Sequence, residues 1–385
     1  METRRFGRTG LHLSVLTLGA MRLLHGWDTP HDFLPDDSLQ NTHDIVSTAL
    51  KSGINLIETA RAYGKSERLL GQVAPQIIRQ SGTPCHLMTK APPAATAGEM
   101  RLWIEESLQR MQVDYLDLFA LHGLNTQDLV NRALAKGGAM TALRQACDEG
   151  LIGAVGFSSH APLPLLLRTM ATGAFDFVNL HYYRFRGTNR AAVELAAALD
   201  MGVLIISPND KGGRLYEAPA KLRHLTAPLA PAQFNERWLL AQTHVHTLSI
   251  GLSEPGQLTL HLDGLRTRPL WGMHEENAAR RLAAAEADSL LRQCGVDCFA
   301  CDSCPKGINI PEIMRLLHLI NAFDMNLFAR YRYDLMQPGD PWVPGAKLDV
   351  CDQCGECLPF CPRALPIPDL LYQARPLMAH QGNHQ

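Results

Sequence analysis

Residues 86–123, HLMTKAPPAATAGEMRLWIEESLQRMQVDYLDLFALHG, contain one complete repeat of the fold. A short apolar run, HLMTKAP, leads into an amphipathic segment and then a second apolar run, YLDLFALHG. In the middle segment Met100, Ile104, Leu108 and Met111 recur three or four residues apart, the spacing that lines one face of a helix. A strand, a crossover helix and another strand imply parallel pairing.

The same alternation fills residues 12–255. The remaining runs are LSVLTLGAM, INLIETA, IGAVGFSSH, FDFVNLHYY, GVLIISPND and VHTLSIGLS, with amphipathic segments such as SLQNTHDIVSTALKSG between them. The helices open on Ser, Thr or Asp caps and close near Gly, as from Ser38 to Gly53. Eight strand–helix repeats predict a closed (β/α)8 TIM barrel. An open, doubly wound sheet is the alternative, but no GxGxxG follows the first run. From about residue 275 the texture changes. EENAARRLAAAEADSLLRQC reads as a helix, and two cysteine runs then bracket a mostly helical stretch, PEIMRLLHLINAFDMNLFARYRYDLM. The expected organisation is a barrel over 1–280 and a small, mainly helical, ferredoxin-like iron–sulfur domain over 281–385.

Hydrophobic residues make up 46% of the 385, ample for a core, and the net charge is −2 with both signs interspersed. That balance argues against nucleic-acid or anionic-membrane partners. The N-terminus carries charges without a sustained apolar leader region, and nowhere do eighteen apolar residues run together. Eight of the ten cysteines lie in two tight clusters after residue 290. Disulfide frameworks spread their cysteines and metal sites bunch them, so a reducing, cytoplasmic setting is expected. Cys85 and Cys147, outside the clusters, read as buried, inert thiols.

The second cluster, CDQCGECLPFCP, places Cys351, Cys354, Cys357 and Cys361 at the spacing of a bacterial ferredoxin run, in which the fourth cysteine serves the other cluster. The first supplies Cys294, Cys298, Cys301 and Cys304, again followed by proline. Eight thiolates are what two [4Fe–4S] clusters require. By ferredoxin-like crossing, Cys294, Cys298, Cys301 and Cys361 hold one, and Cys304, Cys351, Cys354 and Cys357 the other. Structural zinc and disulfides are the competing readings, but zinc more often takes two CxxC pairs separated by a longer spacer.

In a (β/α)8 barrel the chemistry lies at the C-terminal ends of the strands. Those ends offer Glu58, Tyr63 just beyond it, Lys90 and His122. An acid, a phenol, an ammonium and an imidazole on one rim suit proton transfer to a carbonyl oxygen. The lysine cation is expected to lower the phenol's pKa, and the carboxylate to hold the lysine charged and oriented.

RRFGRTGLHLSVLTLGAM, INLIETARAYGKSERLLG, HLMTKAP, DYLDLFALHG and GFSSH together resemble the aldo/keto reductases over roughly residues 3–260. With the cysteine tail, the chain resembles the subgroup bearing a C-terminal 4Fe-4S dicluster domain. The resemblance implies Tyr63 as general acid with Lys90 and His122 as partners, and Glu58 where the family has aspartate. It also implies NADPH, with the nicotinamide amide held by Ser158, Ser159 and Asn179. Tyr182, Tyr183 and Tyr216 are candidates to stack on the ring. The loop SPNDKGGRL offers Lys211, Gly212, Gly213 and Arg214 to a phosphate, and GLSEPGQL offers a helix start at Ser253. The expected function is reduction of a small-molecule carbonyl, with the clusters moving single electrons. Because a hydride carries two electrons, a flavin or a one-electron substrate would have to mediate, and a ferredoxin-like protein is a candidate redox partner. The alternative is a catalytically silent barrel that serves as an electron carrier, redox sensor or docking protein.

Overall fold

The computed structural model describes residues 1–26, 28–287, 289–296, 298–301, 304–340 and 342–379. The chain divides into two compact units. The first comprises Met1–Tyr182, Asn189–Pro208 and Leu239–Thr267. The second comprises Tyr183–Thr188, Asn209–Trp238 and the chain from Arg268 onward.

The first unit is built on ten strands: β1 (Thr3–Arg5), β2 (His12–Ser14), β3 (Leu16–Gly19), β4 (Leu56–Glu58), β5 (His86–Ala91), β6 (Leu116–Leu121), β7 (Ile152–Ser158), β8 (Phe177–Leu180), β9 (Gly202–Ile206) and β10 (Thr247–Gly251). β3 to β10 form a closed parallel barrel in sequence order, with β10 returning to pair with β3. Each of the eight apolar runs supplies one barrel strand. These strands are buried almost throughout, because side chains fill the interior and helices cover the outside. The register sets Gly19 opposite Glu58, Lys90 opposite Ala120, and Ser158 opposite Asn179.

β1 and β2 pair antiparallel as a hairpin that closes the N-terminal end of the barrel. Phe6 and Leu13 join Leu56, Met88, Leu118, Phe177 and Leu204 in one buried cluster. A Cβ on Gly202 would lie 2.6 Å from the Phe6 ring, and a Cβ on Gly7 would strike the Gly202 backbone. With that end filled, the chemistry falls to the strand C-termini.

The helix after β3 starts at Asp36 behind Pro35, so Ser38 lies inside it rather than capping it. The Ser38 N–H donates to Asp37 Oδ1 at 2.7 Å, and the turn beyond the helix uses Gly53 at φ +83°.

The second unit is mainly helical, with helices at Ala220–Thr226, Met273–Ala287, Ile310–Phe323, Asn326–Asp334 and Ile367–Met378. Residue 280 falls inside Met273–Ala287, so the chain does not break there. Ile310–Phe323 starts where Asn309 Oδ1 accepts the Glu312 N–H at 3.1 Å, and it ends in left-handed Asp324. The two cysteine runs lie in the loops of this unit.

Candidate functional site

Glu58 is the last residue of β4, Lys90 the fifth of β5, and His122 the first residue beyond β6. Tyr63 sits in the tight turn after β4, where the Arg61 N–H donates to the Lys90 carbonyl at 2.8 Å and Gly64 takes φ +53°. All four therefore converge on one rim. Lys90 is 1% exposed and Glu58 3%, and they form a buried ion pair. Lys90 Nζ also donates to the Thr59 carbonyl at 2.6 Å, while Ser249 Oγ donates to Glu58 Oε1 at 2.7 Å. Lys90 Nζ stands 4.9 Å from the centroid of the Tyr63 ring, and His122 meets the same ring edge-on at 5.7 Å.

The expected lowering of the phenol does not occur. Burial, and then the carboxylate of Glu58, push the Tyr63 hydroxyl well above its usual value near 10. The physical reason is that a phenolate in this buried position would lose its hydration and would also meet the negative charge of Glu58. Tyr63 accordingly holds its proton firmly.

Ser158 and Ser159 end β7 and are buried, but their hydroxyls serve the fold. Ser158 Oγ accepts the Gly123 N–H at 3.0 Å, and Ser159 Oγ donates to the Leu124 carbonyl at 2.8 Å. Asn179 on β8 differs. Its side chain is completely buried, yet neither Nδ2 nor Oδ1 has a hydrogen-bond partner. A buried primary amide with both functions unsatisfied is costly unless a ligand answers it. A carboxamide, offering one donor and one acceptor, is the matching chemistry. Tyr182 is occupied, donating its hydroxyl to Gln242 Oε1 at 2.9 Å. Ser253 does not open a helix with a free N–H: that N–H donates to Gln257 Oε1 at 2.9 Å, and the α-helix begins at Leu258.

Lys211, Gly212 and Arg214 belong to the second unit, as do Tyr183 and Tyr216. Arg214 is left-handed at φ +50° and lays its guanidinium 5.0 Å over the Tyr331 ring. Gly213, at φ +144°, leaves no room for a Cβ, which would lie 2.5 Å from Met325 Cε. The turn is held by the Arg214 N–H donating to the Asp210 carbonyl at 2.9 Å. Here the arginine packs on an aromatic ring of its own unit.

The cysteines separate into two sets, both within the second unit. Burial pushes the Cys301 thiol up to about 12, aided by Cys294, Cys298 and Cys361. Burial raises Cys294 too, with Cys298 and Cys361 adding to it and Arg363 opposing. Cys357 is raised first by burial and then, against a bond from its own backbone, by Cys304, Cys354 and Cys351. Cys304, Cys351, Cys354 and Cys357 also line one small cleft. Thus Cys361 lies among the first run and Cys304 among the second. Among the described residues no three His, Cys, Asp or Glu side chains stand close enough to enclose a single metal ion. Cys85, outside both sets, is pushed up to about 12 by burial and then by Asp117, as suits an unreactive thiol.

The sequence profile of the Aldo/keto reductase family matches residues 15–268. The chain belongs to the aldo/keto reductase family. It is similar to the 6-dehydroglucose reductase of Novosphingobium aromaticivorans, 30% identical over 132 residues that cover 31% of this chain and 40% of that protein. The match thus spans about two fifths of that relative's length. Similarity to the L-galactose dehydrogenase of Arabidopsis thaliana is 24% over 315 residues, 74% of this chain and 95% of the other. The solved aldo/keto reductase of Klebsiella pneumoniae in complex with NADP and acetate superposes with a TM-score of 0.57 at 20% identity, covering 73% of this chain and 94% of that one.

In this member of the family Glu58 is longer by a methylene than the acid its resemblance implies. The pair with Lys90 forms nonetheless. Room comes from Gly19 on the neighbouring strand, where a Cβ would lie 2.6 Å from Ser249 Oγ and 3.2 Å from Glu58 Oε1. Gly19 and Ser249 were not singled out in the sequence; Gly19 ends β3, whereas Ser249 lies in the middle of β10. No helix among the described residues is long and apolar enough to cross a membrane.

Proposed function

We propose that this aldo/keto reductase reduces the carbonyl of a small molecule with NADPH, and that residues 281–385 bind two [4Fe–4S] clusters. The carrying observation is the buried Lys90–Glu58 pair set against the Tyr63 ring, with His122 edge-on to the same ring. The unsatisfied Asn179 amide fits a nicotinamide carboxamide, and the Klebsiella relative was solved with NADP. NADPH, when bound, supplies the hydride. Tyr63 Oη passes its proton to the carbonyl oxygen, and Lys90 balances the phenolate left behind. Glu58, steadied by Ser249, keeps Lys90 oriented. His122, at the far edge of the ring, orients the carbonyl oxygen toward that proton.

Eight thiols in two sets of four fit cluster ligation, with Cys294, Cys298, Cys301 and Cys361 in one and Cys304, Cys351, Cys354 and Cys357 in the other. A lone tetrahedral zinc would draw its thiolates to within about 4 Å of one another, whereas a cuboidal cluster keeps one at each corner, farther apart. The clusters, when bound, supply one-electron transfer. Since a hydride delivers two electrons, coupling the two chemistries calls for a flavin or a substrate that accepts single electrons. A ferredoxin-like protein is the matching partner, and a reducing cytoplasm the matching setting.

The test is iron, sulfide and flavin analysis of anaerobically purified protein, alongside NADPH oxidation with a panel of aldehydes and quinones. About eight irons per chain are expected, and Tyr63→Phe is expected to cut kcat by about 10²–10⁴-fold. A rate untouched by Tyr63→Phe sinks the tetrad; zinc in place of iron sinks the clusters.

A further inference from the structure

Three arginines of the second unit gather around a single carboxylate. Arg315, 1% exposed, forks onto Glu312 with Nε to Oε2 at 2.8 Å and Nη2 to Oε1 at 2.5 Å. Arg186 reaches the same carboxylate at 3.9 Å. Arg332, also buried, completes the group: its charge acts on both Arg186 and Glu312. Arg186 Nε, Arg315 Nη1 and Arg332 Nε are all buried without a hydrogen-bond partner. Among the described residues, three guanidinium charges meet one carboxylate, an excess that a protein interior tolerates only near further negative charge.

The neighbouring loop is the one between Cys294 and Cys298. A Cβ on Gly295 would lie 3.0 Å from Arg315 Cβ and 2.5 Å from the Pro311 carbonyl oxygen. A Cβ on Gly187, next to Arg186, would touch Val296 Cγ1 at 3.6 Å. Both arginine-bearing segments therefore flank this loop. A fourth arginine, Arg363, follows Cys361 by two residues and donates to the Leu290 carbonyl at 2.9 Å, while the Cys294 N–H donates to the adjacent Leu291 carbonyl at 2.8 Å. Among the described residues the other set has no buried guanidinium shown beside it: Lys306 is exposed and paired at 3.1 Å with Asp352, which lies between Cys351 and Cys354, and Arg375, also exposed, donates to the Cys351 carbonyl at 3.2 Å.

We propose that Arg186, Arg315, Arg332 and Arg363 are the counter-charge for a cluster on Cys294, Cys298, Cys301 and Cys361, and make it the more easily reduced of the two. The inference rests on the reading that the cysteines ligate [4Fe–4S] clusters. Each cluster gains one electron on reduction and no bond breaks, so its negative charge grows by one. Buried positive charge nearby stabilises that reduced form and raises the potential. Exposed cations contribute less, so Arg363 adds a smaller share than the buried guanidinium groups, and Lys306, already paired with Asp352, less still.

The experiment is a potentiometric titration of the full chain with dithionite, followed by electron paramagnetic resonance, on wild type, Arg332→Met, Arg363→Gln and Asp352→Asn. Two separate one-electron steps are expected. Arg332→Met and Arg363→Gln move only the upper step, to lower potential, and Asp352→Asn moves only the lower step, upward. Arg332 makes no bond in the Glu312 fork, and Arg363 is exposed, so Arg363→Gln carries the test if Arg332→Met does not fold. Full iron content with the upper step unmoved in Arg363→Gln, or with both steps at one potential in wild type, overturns the counter-charge while leaving the clusters in place. Wild type without iron overturns the cluster reading itself.

Discussion

Replacing Gly19 with alanine perturbs the site without removing any group that titrates. The backbone there is extended, at φ −89° and ψ 120°, so alanine meets no conformational penalty and only space is at issue. The new methyl would stand 2.6 Å from Ser249 Oγ and 3.2 Å from Glu58 Oε1. Those two oxygens are themselves bonded at 2.7 Å, and Glu58 is held from its other side by Lys90, so neither can withdraw freely. Overpacking of this kind costs about 1–3 kcal/mol. Loss of the Ser249 hydrogen bond to a charged acceptor adds about 1.5–3 kcal/mol. Gly19→Ala is thus expected to destabilise by about 2.5–6 kcal/mol and to lower kcat more than it raises KM, since the disturbed groups are those proposed to orient the proton donor. Urea unfolding and NADPH-dependent turnover report the two effects. Glu58→Asp shortens the acid by the methylene that Gly19 accommodates. The double variant should recover at least about 1 kcal/mol relative to the sum of the single changes. Strictly additive losses, or a silent Gly19→Ala, would refute the account of how the longer acid fits.

Asn179→Leu fills the same volume without the amide and is expected to raise the NADPH dissociation constant by about tenfold or more while leaving the fold intact, as fluorescence titration and a thermal melt would show. The Cys294→Ser/Cys361→Ser double variant removes two thiols from one set, so iron should fall by half; loss of all iron would mean that Cys361 serves the other set. His246 accepts the Val203 N–H on Nδ1 at 2.9 Å, and burial, then Arg4 and Arg5, lower its pKa to about 4. Because the unfolded imidazole binds its proton near 6.5 and the folded one only near 4, this group's contribution is complete above pH 6.5 and is lost as pH falls toward 4, by up to about 3 kcal/mol. His246→Asn should flatten stability across that window; an unchanged pH profile would remove His246 as its source.

The barrel was legible because its strands are buried on both faces and so read as unbroken apolar runs, three of which lead to the candidate residues at or near their ends. That is why Glu58, Lys90 and His122 could be placed from their positions alone. What could not be read was anything decided by a partner distant in sequence. Gly19 appears as one more glycine in LTLGAM until β3 and β4 pair and bring it beside Glu58. Ser253 looked like a helix cap because the competing acceptor, Gln257, sits within a single-turn helix that periodicity does not resolve. Arg186, Arg315 and Arg332 pass in sequence for solvated charges, and only the packing of three separate segments reveals Arg315 and Arg332 as buried and Arg186 as half-buried. The rise in the Tyr63 pKa was hidden for a related reason: it comes first from burial of the phenol and then from Glu58, and the sequence does not state how deeply Tyr63 is buried.

The hairpin at the N-terminal end of the barrel bears on the order in which the chain is made. The Arg8 N–H donates to the Asp200 carbonyl at 2.6 Å, and Arg5 pairs with the Asp200 side chain. Arg5 and Arg8 thus complete these contacts only with a turn that lies nearly two hundred residues later in the chain, just before β9. Closure of that end carries a high loop-closure entropy and comes late, while the local β–α–β repeats between can form as they appear. Until β9 arrives, Phe6 and Leu13 travel exposed, and the nascent barrel presents an apolar opening to chaperones or to aggregation.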